Sequence, residues 1–115
     1  SLGHLKYKPL WTYQLKPPFE EIEHTADVAF HVRGENLQQI LIHAQVALAF
    51  LFPPLLSYIS DTKRVEDLDD IIIELNALIT KTDEQLGCPF KAVSFHGDLL
   101  EEEDKTLMWE MIIDV

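Results

Sequence analysis

The 115 residues carry 20 acidic against 9 basic side chains, a net charge of −11, and 47% of them are hydrophobic. That length suits one domain with a single core, and that charge argues against direct nucleic-acid binding, which lysine and arginine drive by displacing counterions from phosphates. No apolar run reaches the ~18 residues of a spanning helix, and the lone Cys88 has no partner for an intramolecular disulfide, so a cytoplasmic protein without membrane contact is expected.

Residues 1–18 read as a flexible lead-in, because Pro9, Pro17 and Pro18 break regular structure. Ser1 to Leu15 is too polar for a signal peptide. Lys6, Lys8 and Lys16 fall here with no acid, which makes residues 19–115, the expected single domain, about three units more acidic than the whole chain. A cation or a basic partner surface would suit that charge; so would the plainer task of keeping the surface soluble. Phe19–Glu23 and Val28–Val32 read as short strands, since Val28, Phe30 and Val32 alternate with Ala29 and His31. His24 to Asp27 falls at a bend between them.

Gly34-Glu35-Asn36 ends the second strand, and Asn36 followed three residues later by Gln39 has the form of a capping box. Leu37, Ile40, Leu41, Ala44, Ala47, Leu48 and Leu51 then recur at helical spacing until Pro53-Pro54. A second helix is predicted from about Asp67, with Asp67, Asp69 and Asp70 at the positive end of its dipole and a stripe of Leu68, Ile71, Ile72, Leu75, Leu78 and Ile79.

Past Gly87 and Pro89, Phe90 to His96 alternates again, with Phe90, Ala92, Ser94 and His96 on one face and Lys91, Val93 and Phe95 on the other. Gly97 to Lys105 reads as an acidic turn, and Glu101 to Asp104 as its solvated part or as a docking point for a partner's basic residues. Leu107 to Val115 is apolar enough for a central strand. Strands at both ends and two helices between them give an α+β sandwich.

The chemistry lies in two acidic stretches. Glu23-His24-Thr25-Ala26-Asp27 and the closing Asp114-Val115, with Val115 as the last residue offering its main-chain carboxylate, are hard oxygen donors of the kind Ca2+ or Mg2+ prefers. Brought together, they would tie the first strands to the last. Residue chemistry alone leaves other readings open: Asp27 can close a turn on its own backbone, and Asp114 can be a solvated end residue. His24, His31, His43, His96 and Cys88 invite zinc, yet no pair has the close spacing of a zinc site. Nor do four glycines form a phosphate-cradling loop.

Ile22-Glu23-His24-Thr25-Ala26-Asp27-Val28, the helix Leu37 to Phe52, the run Ile71 to Ile79, Phe90 to His96 and the ending Ile113-Asp114-Val115 together resemble the archease family, in the family's own order. The resemblance implies a two-layer archease-like sandwich and a protein that is not an enzyme. It implies an accessory factor that promotes guanylylation and turnover of the RNA-splicing ligase in tRNA splicing, or, in an older view, a chaperone for RNA-modifying enzymes. It also implies a divalent cation, Ca2+ foremost with Mg2+ or Mn2+ as alternatives, held by Asp27, Asp114 and the carboxylate of Val115. His24 would then orient Asp27. The competing reading is a metal-dependent hydrolase with Asp27 and Asp114 as ligands and His24 as base. Family members have additional strands between the second helix and the strand at Phe90 to His96; here only Thr80 to Pro89 intervenes, so either the form is shortened or a segment is absent from this sequence.

Overall fold

The computed structural model describes residues 17–22, 28–59 and 64–115. Four strands, β1 (Phe19–Ile22), β2 (Val28–Gly34), β3 (Ala92–Glu101) and β4 (Leu107–Asp114), form one antiparallel sheet in the order β1-β2-β4-β3. Two helices, α1 (Leu37–Leu51) and α2 (Leu68–Leu86), pack on one side of it, giving the expected α+β two-layer sandwich with β4 in a central position.

Local chemistry sets the helix starts. The Asn36 side chain accepts from the Gln39 N–H at 2.9 Å, and Gln39 returns the favour by accepting the Glu35 N–H at 2.7 Å. Asp67 and Asp70 repeat the device at α2, where each carboxylate accepts one backbone N–H at 2.9 Å. Each such cap satisfies amides that the first helical turn leaves free. Gly34 makes the passage from β2 into α1 possible, because a Cβ there would lie 2.8 Å from the Ile40 nitrogen. After Leu51 the Phe52 N–H closes on the Leu48 carbonyl, and Pro53–Tyr58 continues as a 3-10 helix.

The core lies between the layers. Phe30 and Val32 of β2, Val93 of β3, and Trp109, Met111 and Ile113 of β4 meet Ile40, Leu41, Ala44 and Leu48 of α1 and Ile71, Leu75, Leu78 and Ile79 of α2. Each fully buried side chain of this size contributes about 1.5–3 kcal/mol. Asn76 fastens α2 to the sheet by matching the backbone of Val93: its Oδ1 accepts the Val93 N–H at 2.9 Å and its amide donates to the Val93 carbonyl at 3.0 Å.

Three expectations change. The connection at Thr80 to Pro89 is largely helix, since α2 runs on to Leu86. Its buried face continues through Thr82, whose hydroxyl donates to the Leu78 carbonyl at 2.8 Å, so a polar residue hid the stripe. Gly87, at φ 75°, stops it. The alternation holds within the strand, where Val93 and Phe95 face inward and Ala92, Ser94 and His96 are exposed, but Phe90 departs from it, being buried from the link before β3. Finally, the turn is shorter than Gly97 to Lys105, because β3 reaches Glu101 through an irregular register between His96 and Leu100. A bulge of this kind resets the two-residue period on which strand reading depends. Gly97, at φ 71°, sits in it, and its carbonyl accepts the Trp109 Nε1–H at 3.0 Å.

Candidate functional site

β4 delivers Asp114 to one end of the sheet. Its neighbour Ile113 is fully buried and paired with both Val28 of β2 and Val93 of β3, so by strand alternation Asp114 points to the outer face, away from the helices. The Asp114 carbonyl accepts the Lys91 N–H at 2.7 Å, which fixes the backbone here, while the side chain is exposed. Val115 follows, half exposed.

His24 and Asp27 lie outside the described residues. Val28, the residue after Asp27 in the sequence, is set directly against Ile113, the residue before Asp114. Oxygen donors gathered there would suit a hard cation. Among the described residues no group of three or more His, Cys, Asp and Glu side chains is assembled to hold a metal, and Asp114 is the described acidic member of the candidate set.

The other histidines and the cysteine are dispersed. His43 is buried on α1 with its Nδ1 hydrogen-bonded to the Arg33 carbonyl; burial pushes its pKa below the ordinary value, against the raising effect of that bond. His31 lies on the outer face between Glu20 and Glu110, each 3.7 Å away. Cys88 follows α2, where its backbone N–H donates to Asp83.

Arg33 is the residue that sequence reading missed. Almost fully buried on the outer face of β2, its guanidinium pairs with Glu20 at 2.8 Å and Glu102 at 2.5 Å and donates to the Pro17 carbonyl at 3.2 Å. Burial alone would lower its pKa, but the hydrogen bonds and charges of Glu20 and Glu102 outweigh that and hold it above the ordinary value. Glu102 is thus an internal partner of Arg33 and not part of a solvated run. The sequence offered one cue, an arginine near the end of a mostly apolar strand.

The model of the Archease protein family matches residues 19–77, 59 of the 115, and so spans β1, β2, α1, the 3-10 helix and the first half of α2. The chain belongs to the archease family. The match includes the His24-Thr25-Ala26-Asp27 motif and stops short of β3, β4 and Asp114. No curated protein and no solved structure gives a significant match. As an archease the chain has an accessory role in RNA processing. Among its described residues no helix is long and apolar enough to cross a membrane.

Proposed function

We propose that this archease activates an RNA-splicing ligase by promoting its guanylylation and turnover, without catalysing a reaction itself, at a cytoplasmic site of action. The activating feature is a divalent cation held by Asp27, Asp114 and, with Val115 as the last residue, its main-chain carboxylate. The observation that supports this reading is the β2–β4 register, which sets Val28, the residue after Asp27 in the sequence, against Ile113, the residue before Asp114. Family membership supports the accessory role.

When bound, the cation supplies positive charge where carboxylates would otherwise repel one another and, through its open positions, a contact for an anionic group on the ligase. The protein's own residues provide the placement. Ile113, buried between Val28 and Val93, fixes the backbone from which Asp114 projects, and the Lys91 N–H holds the Asp114 carbonyl so that its side chain alone is free to turn outward. His24 would set the orientation of Asp27. The overall charge of −11 leaves tRNA to the ligase.

The test is guanylylation of the cognate ligase with and without this protein, in Ca2+, in Mg2+ and in chelator. Activation that needs both protein and cation, with no hydrolytic turnover by the protein alone, is expected. A hydrolase would turn over substrate without the ligase, and tight, salt-sensitive tRNA binding by this chain alone would contradict the division of labour.

A further inference from the structure

The face of the sheet opposite the helices is organised in rows by the strand register. One row is Ile22, Ala29, Ile112 and Ser94; the next is Glu20, His31, Glu110 and His96; a third contains Arg33 and Met108. Both helices pack on the other side, yet Ala29 is 0% exposed and Ile22, Ile112 and Met108 are partly buried. The face is therefore an apolar band beside a polar, acidic one, with Asp114 at its end.

The same chain carries a segment of matching chemistry. From Leu5 to Lys16 every odd position is apolar or aromatic (Leu5, Tyr7, Pro9, Trp11, Tyr13, Leu15), and the even positions are polar apart from Leu10. Such alternation, broken at Leu10, suits a segment with one face to bury. Its three lysines have no acid among them, opposite in sign to Glu20, Glu110 and Asp114. We propose that residues 5–16, which lie outside the described residues, are the ligand of this outer face.

The point of entry is on the page. The Pro17 carbonyl accepts from Arg33 Nη1 at 3.2 Å and the Pro18 carbonyl from the Arg33 N–H at 2.7 Å, so the segment joins the sheet at the row of Arg33. Twelve extended residues reach ~40 Å, whereas four strands at ~4.8 Å spacing span only ~15 Å. One pass suffices. Tyrosine and tryptophan, with an apolar body and a polar tip, suit a surface that alternates apolar and acidic rows. Lysines above it would lie within a Debye length of the acids, ~8 Å at physiological salt.

Trp11 and Trp109 are the two tryptophans of the chain. Labelling the full chain with 5-fluorotryptophan gives two fluorine resonances, which Trp11→Phe assigns. The Trp11 resonance is expected to be displaced from its position in the free 1–16 peptide, independently of protein concentration. Ile112→Glu and, separately, Glu110→Lys should return it most of the way, while the Trp109 resonance, a reporter of the core, stays in place. If Ile112→Glu disturbs the Trp109 resonance, the fold has suffered and Glu110→Lys decides. A Trp11 resonance at the peptide position in the unaltered chain overturns the proposal. So does one displaced but insensitive to the substitutions, or one displaced only as concentration rises, the sign of a second copy.

Discussion

The two faces of the one sheet are held by different physics. On the helix side Phe30, Val32, Trp109, Met111 and Ile113 form a contact without direction, where any well-fitting apolar side chain contributes by area. On the outer side Arg33 binds Glu20, Glu102 and Pro17 through a planar fork, so both distance and angle matter. Neighbouring residues of a single strand, Val32 and Arg33, serve the two arrangements. The inner face thus decides that the domain folds, and the outer face decides how its edges, its turn and its first residues are fastened.

The largest effects should come from the inner face. Met111→Ala, at a fully buried site paired with Phe30, is expected to cost about 2–5 kcal/mol in chemical denaturation. A loss under about 1 kcal/mol would show that the core tolerates the cavity. On the outer face Arg33→Ala should cost about 3 kcal/mol, because Glu102 is left largely buried without its counter-charge. Arg33→Met with Glu102→Gln should recover much of it. If the double variant is no better than the single one, the pairing is not what Arg33 supplies.

Between the layers, Asn76→Ala removes both bonds to Val93 and is expected to cost about 1–3 kcal/mol, with faster amide exchange at Val93 as its local signature. The smallest effect is one of pH. His43 has a folded pKa below the ordinary 6.5, so between those values the unfolded chain binds more protons than the folded one. Stability contributed by neutral His43 is fully present above about pH 6.5 and is lost as pH falls through the window down to the folded pKa. Denaturation midpoints between pH 7 and 5 should therefore decline, and decline less in His43→Gln. An equal slope in both would assign the acid sensitivity to other groups.

This contrast also explains what was legible in the sequence. Periodicity found the inner face: β2, α1 and α2 begin where Val28, Asn36 and Asp67 said they would, because alternation and capping are local. It failed where a single residue reset the period. Thr82 hid the last turns of α2 by satisfying its own hydroxyl, and the bulge at Gly97 turned the second half of β3 into an apparent loop. Arg33 was invisible for another reason, since its partner Glu102 is 69 residues away and no local pattern reports a long-range pair. Of the candidate cation ligands, the placement of Asp114 on an outward, terminal position of β4 followed from alternation alone. The pairing with Asp27 and Val115 came from the family resemblance, and 23–27 lie outside the described residues.

The cation proposal is most exposed at the chain end. With Val115 as the last residue, one added residue would turn its carboxylate into an amide and move the new charge by ~3.3–3.8 Å, more than a site needing oxygens at ~2.3–2.6 Å can absorb. The decisive measurement is calorimetric titration with Ca2+, paired with ligase guanylylation, on the unaltered chain, Asp114→Ala and the form extended by one residue after Val115. Both variants should stay folded and lose at least ten-fold in cation affinity, about 1.4 kcal/mol, with a matching loss of activation. Unchanged binding and activation in both would contradict a cation held at this end of the sheet.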